Sequence, residues 1–327
     1  MGIGRYLTLM ALAAALLAGL ASAQAPRSSV VPAETLEPFV FSPQWTAQAQ
    51  FAGYYVASRM GFYEEEGLDV EIVHPYTSQS ARDRFRQGQS DAATLTLAEA
   101  MEVVDAGIPV VNILQTSMNS AMLIVSRYGE DPQDLKHPKV IMWRGGFSQV
   151  ALCMAAREHL DYQWVEAASV PNLFVSGAVD ATLAMSYNEY YQLLQTGLLT
   201  PGKGIYRFSE HGYNIQEDGV YMTAEAYRND RDKAERFARA SRRGWEWAAE
   251  HPEEALDIVM DYVRELRIPT NRVLQKLMLD EILRLQLDPD SGEREFRLRP
   301  DMVRQASGLL SENGIISREI DYKELVP

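Results

Sequence analysis

The chain predicts an α/β protein made of two lobes of similar build with a cleft between them. Three observations carry that expectation. The phrase F-x-x-G-x-x-D-A occurs twice, from Phe85 to Ala92 and again from Phe174 to Ala181. Each copy follows a segment able to form a helix and runs into a short apolar stretch, residues 92–97 or 181–185. A second amphipathic segment then ends at a glycine, Gly107 or Gly197, so that one helix–glycine–strand–helix unit is repeated. Strands that alternate with helices in this way point to parallel or mixed sheets.

Residues 1–23 are expected to lie outside the fold. Arg5 supplies a positive start, residues 7–20 are apolar, and Ala21-Ser-Ala23 is a small-x-small cleavage signal. Roughly 14 apolar residues are too few to cross a bilayer comfortably. A cleavable signal peptide and a periplasmic or secreted protein follow, without a lipid anchor, since no cysteine lies near the cut. Residues 24–37, rich in Ala, Ser and Pro, read as a flexible leader.

The first strand is expected at 39–41, stopped by Ser42-Pro43. Residues 48–66 read as one helix whose apolar face is Phe51, Tyr54, Tyr55 and Phe62. Gly67 ends it, and 68–73 alternates apolar and polar as a half-buried strand. Helix 81–87, strand 92–96, helix 97–106 and strands 110–115 and 121–126 complete the first part. The polar loop 127–138 reads as the first crossing. Beyond it come strand 140–143, helix 148–159, strand 164–166 and the second copy of the phrase. A short strand at 219–223, after the turn-rich 210–218, marks the return, and helices are expected at 234–249, 252–264, 271–285 and 300–313. The expected division is therefore lobe 1 at 38–126 and 219–327, and lobe 2 at 127–218.

Composition narrows function mainly by exclusion. A net charge of −14 argues against nucleic-acid binding, which needs a basic footprint. The single cysteine, Cys153, excludes an internal disulfide framework. The five histidines show no metal-ligand spacing, and there is no G-x-S-x-G elbow or other nucleophile arrangement. Neither cofactor nor metal is expected, and the chemistry on offer is binding.

Open α/β sheets bind ligands beyond the carboxyl ends of their strands. That rule nominates Thr94, Thr96 and Glu99 in the first lobe and Ser186, Tyr187, Asn188 and Glu189 in the second. The turn Arg144-Gly145-Gly146-Phe147-Ser148 follows a strand and opens a helix. Its glycines let backbone N–H groups approach a ligand, and a plain tight turn with Ser148 as N-cap is the alternative. Trp45, Tyr54, Tyr55 and Phe147 supply flat apolar walls, while Gln44, Gln48, Gln50 and Asn188 can read ring edges. That set suits a planar heterocycle.

The stretches Pro43-Gln-Trp-Thr-Ala-Gln-Ala-Gln-Phe-Ala-Gly-Tyr-Tyr-Val-Ala57 and Gly61-Phe-Tyr-Glu-Glu-Glu-Gly-Leu-Asp-Val70 resemble the opening of a known family. It comprises thiamine-pyrimidine synthase and related periplasmic binding proteins. The phrase at 85–92, Asp134-Leu-Lys136, Gly145-Gly-Phe147 and Gly177-Ala-Val-Asp180 are similar to its landmarks in the same order. The resemblance spans about residues 36–325. It implies a type II periplasmic-binding fold, two hinge crossings, and a monomer that closes on a small molecule and serves an ABC permease. Importers of this kind take thiamine pyrimidine precursors, riboflavin, sulfonates or taurine; a sensor subunit would need the same cleft. The cleft positions it implies are Trp45, Gln50, Tyr54, Thr94, residues 145–148, Asn188 and Glu189. Where the synthase keeps a cofactor-holding lysine and a consumed histidine, this chain has Leu95 and Glu99, which argues against synthase activity.

Overall fold

A computed structural model describes residues 36–75, 79–168 and 170–327. The expected signal peptide and nearly all of the leader lie outside these residues. Two five-stranded mixed sheets form the framework. The first contains β1 (Glu37–Ser42), β2 (Leu68–Ile72), β3 (Ala92–Leu95), β4 (Val110–Gln115) and the late strand β10 (Gly219–Thr223), in the order β2-β1-β3-β10-β4. The second contains β5 (Met122–Ser126), β6 (Lys139–Trp143), β7 (Gln163–Ala167), β8 (Ala181–Met185) and β9 (Ile205–Arg207), in the order β7-β6-β8-β5-β9. The two orders correspond strand for strand. β1 and β6 each pair in parallel with the strand on either side, while β10 and β5 run antiparallel to both of their neighbours.

The doubled phrase serves the same purpose in both sheets. Phe85 and Phe174 are buried, and Gly88 and Gly177 turn the chain at φ +68° and +79°, a region that favours glycine. The aspartate then ties the next strand back to the first. Asp91 accepts the Val40 N–H at 2.7 Å and returns its own N–H to Val40 O at 2.8 Å. Asp180 does the same with Lys139, at 2.8 and 2.9 Å. β3 is thereby registered on β1, and β8 on β6.

Around the first sheet pack α1 (Ala52–Arg59), α2 (Phe62–Glu65), α3 (Ala81–Arg86) and α4 (Leu97–Asp105). The second sheet carries α5 (Gln149–Arg157), α6 (Pro171–Val175) and α7 (Glu189–Gln195). The C-terminal helices are α8 (Ala224–Asn229), α9 (Arg231–Glu250), α10 (Pro252–Glu265), α11 (Arg272–Leu285) and α12 (Pro300–Glu312). α9 packs on α1, α2 and the first sheet, with the Phe237 ring stacked on Phe39 at 4.3 Å. α12 bridges the halves, touching both α4 and α5.

Three expectations need correction. The strand at Met122–Ser126 is not in the first lobe: it pairs along its whole length with β8 and also with β9. The first crossing is therefore residues 116–121, and 127–138 is a connection inside the second lobe. β9 was not expected, because three residues carry no readable alternation. The helix expected at 48–66 is broken into a 3-10 turn (Ala49–Phe51), α1 and α2, with a left-handed turn at Gly61.

If the phrase is a structural clamp, Asp180→Ala and Gly177→Ala should each lower stability by about 1 kcal/mol. Urea unfolding measures this, and midpoints unchanged in both variants would deny the clamp its role.

Candidate ligand-binding site

The carboxyl ends of β1, β6 and β8 meet where the sheets face each other. They border a cavity lined from the first lobe by Gln44, Trp45, Gln48 and Gln50. Trp143, Phe147, Met185, Tyr187, Asn188 and Glu189 line it from the second. Arg144, Gly145 and Gly146 line an adjoining cavity at its rim, shared with Trp45 and Phe147.

The first wall is a loop forced off β1 by Pro43 and held from behind. Thr94 Oγ1 accepts the Gln44 N–H at 2.7 Å. The side-chain amides of Gln44 and Gln50 both donate to Asp218 Oδ1, at 2.6 and 2.8 Å, and Gln48 donates to Gln50 Oε1 at 2.7 Å. Gln275 Oε1 accepts the Ala49 N–H. His74 Nδ1 lies 2.7 Å from the Trp45 carbonyl and must carry the proton to bond it, so Nε2 accepts from Tyr55 OH at 2.9 Å. Burial pushes the His74 pKa down to about 4, which keeps the ring neutral in this support role.

The second wall is built from two strand-to-helix turns. After β6, Gly145 adopts φ +94° and Gly146 comes very close to the first lobe. A Cβ on Gly146 would stand 2.5 Å from Glu99 Oε1 and 2.7 Å from Arg82 Nη1, so a larger residue would have to displace those side chains. The next residue sets the Phe147 ring edge-on to Trp45, at 5.6 Å and 89°. After β8, Glu189 folds back: Oε2 accepts the Met185 N–H at 3.0 Å and Oε1 accepts from Asn188 Nδ2 at 3.1 Å. Asn188 Oδ1 accepts in turn from Gln192 at 2.7 Å. Burial raises both the Glu189 carboxyl and the Tyr187 phenol.

The crossings run side by side beneath the cavity. Ser117 Oγ donates to the Glu217 carbonyl and Thr116 Oγ1 to the Asp218 carbonyl, both at 2.7 Å. The Glu217 carboxyl accepts from Ser120 Oγ at 2.8 Å and from the Ala121 N–H at 3.0 Å. Burial, the largest cause for both, lifts Glu217 to about 8 and Asp218 to about 6.

Trp45, Gln50, Phe147, Tyr187, Asn188 and Glu189 thus share one cavity, with Arg144, Gly145 and Gly146 at its rim. Three expected residues stand behind the walls. Thr94 faces the loop backbone, Tyr54 is buried between Phe41 and Trp245, and the Ser148 hydroxyl donates to Trp143 O at 3.1 Å. Position along a strand end places a residue near the cleft without saying which way it faces. Trp143 and Met185, the last residues of β6 and β8, went unnominated, although the same strand-end rule reaches them. Asp218 carried no local signal.

Leu95 and Glu99 border the rim cavity. Glu99 caps α4 jointly with Thr96 and lies 3.9 Å from Arg82, while burial raises its carboxyl. Neither residue offers an amine.

Residues 48–255 match the model of the NMT1/THI5 like family, and the chain belongs to that family. It is 26% identical over 276 residues to the formylaminopyrimidine-binding protein of Halalkalibacterium halodurans, covering 79% of this chain and 80% of that protein. It is 21% identical over 321 residues to the riboflavin-binding protein RibY of Chloroflexus aurantiacus, covering 88% and 87%. In structure it resembles the periplasmic aliphatic sulphonate binding protein SsuA of Escherichia coli, with a TM-score of 0.63 at 14% identity, covering 89% and 92%. The fold is the type II periplasmic-binding fold, two α/β lobes joined by two crossings.

Because folding raises the Glu217 and Asp218 pKa values from 4.5 and 3.8, the folded state binds their protons more tightly. Their contribution is complete below those ordinary values and is lost as pH rises through about 6 and then about 8. Glu217→Gln should therefore gain on the parent protein between pH 6 and pH 9, by on the order of a few kcal/mol. Melting curves of the two that run parallel across that range would show that Glu217 does not titrate this way.

Proposed function

We propose that the chain is the periplasmic solute-binding component of an ABC importer and captures a small planar nitrogen heterocycle, such as a thiamine pyrimidine precursor. The observation that carries this reading is the inter-lobe cavity itself. Trp45, Phe147 and Tyr187 offer flat apolar surfaces, and Gln44, Gln48, Gln50 and Asn188 offer amides on the same small volume. Aromatic walls bind rings with little ordering cost, and amides fix their orientation. The pyrimidine-binding relative, similar over most of both chains, supports the choice of ring.

In this reading the ligand bridges both lobes and shifts the population towards the closed form, which the permease then engages. Among the described residues no helix is long and apolar enough to cross a membrane. Binding is favoured over pyrimidine synthesis because Leu95 cannot form a Schiff base.

Purified protein is to be titrated with 4-amino-5-hydroxymethyl-2-methylpyrimidine, riboflavin, taurine and an alkyl sulfonate, with melting temperature as readout. The pyrimidine is expected to stabilise most. Trp45→Ala should weaken its binding by about 1–3 kcal/mol, the scale of a lost aromatic contact and its buried area. Stabilisation by a sulfonate or flavin alone would replace the ligand class, and no response to any of the four would remove the reading.

A further inference from the structure

Gln44 is only 7% exposed and lines the cavity. Its Nε2 is engaged by Asp218 Oδ1 at 2.6 Å, and its Oε1 has no partner. An amide can usually turn over and exchange its two ends at little steric cost. Here the exchange would set Gln44 Oε1 against Asp218 Oδ1, acceptor against acceptor. The same carboxylate oxygen holds Gln50 Nε2 at 2.8 Å, and Gln50 Oε1 is already satisfied by Gln48. Above a pH of about 6 Asp218 is ionised, and an ionised carboxylate can only accept. With Asp218 ionised, the unsatisfied end of Gln44 is therefore the oxygen.

We infer that Asp218, a residue of the return crossing that does not line the cavity, sets the hydrogen-bonding polarity of the site. By holding Gln44 as an acceptor, it selects rings that present an N–H donor, such as an amino substituent, over rings that present only an oxygen there. This rests on the reading of the cavity as the ligand site. Asp218 acts through Gln44 and is a positioning residue. Its backbone sits at φ +49°, where glycine and asparagine are the best-tolerated replacements.

The test measures dissociation constants for three pyrimidines that share the 2-methyl-5-hydroxymethyl ring. They carry an amino, a methylamino or a methoxy group at position 4. The methoxy compound removes the N–H without creating one on the ring, and the methylamino compound controls for its size. The parent protein is expected to bind both amines at least 30-fold more tightly than the ether. Asp218→Gly, which keeps the left-handed turn and removes the acceptor, should reduce that ratio to about 3-fold or less. Asp218→Asn, which retains an oxygen for both amides, should preserve it. If Asp218→Gly does not fold, Gln44→Met should collapse the ratio in the same way.

A uniform loss of affinity for all three compounds in Asp218→Gly, with the ratio intact, would make the residue merely structural and overturn the inference. Equal binding of amines and ether by the parent protein would overturn it at Gln44, leaving the cavity as the ligand site. Failure of the parent protein to bind any of the three would instead remove the pyrimidine reading, and this inference with it.

Discussion

The pairing of the two crossings is the constraint on which the rest of the molecule depends. Each lobe has its own sheet, and the crossings join α12 in fixing how the two face each other. The crossings, residues 116–121 and 216–218, are cross-bonded through serine and threonine hydroxyls and a glutamate buried between them. Burying two acids side by side carries a penalty that hydrogen bonds only partly offset, as the raised carboxyl values reflect. Asp218 adds a second duty by ordering the amides of the first wall. Through Asp218 the return crossing and the loop that borders the cavity are hydrogen-bonded to each other.

The cavity walls have a common construction. In each lobe a strand ends, the chain turns, and the turn is pinned by a hydrogen-bonding side chain. Thr94 and His74 do this for the Trp45 loop, Ser148 for the Phe147 turn, and Glu189 for Asn188. Side chains that present themselves to a small ring need such support, because a loosely held aromatic or amide loses ordering entropy on binding.

The strand–helix succession and the doubled phrase were legible in sequence because their causes are local. A glycine in a left-handed turn and an aspartate that bonds the neighbouring strand leave the same mark in both lobes. The placement of Met122–Ser126 was not legible: an apolar strand pairs with whatever the topology brings beside it, and its partners lie across the second lobe. Tyr54 and Thr94 stand behind the cavity walls for a similar reason, since chain position fixes proximity but not facing. Asp218 lay beyond reach because Gln44 and Gln50, the groups it serves, are far from it along the chain.

The two sheets, alike in strand order, differ in when they can be completed. Every strand of the second comes from one continuous stretch, 122–207. The first lacks β10 until residues 219–223 arrive, and without that strand β4 has no sheet neighbour and β3 keeps an open edge. A chain emerging from its N-terminus therefore makes its first strands early and must keep them unfinished while the whole second lobe is produced. Apolar strands with open edges invite pairing with other chains. Until β10 arrives, β3 and β4 are where this molecule is most exposed to misassembly.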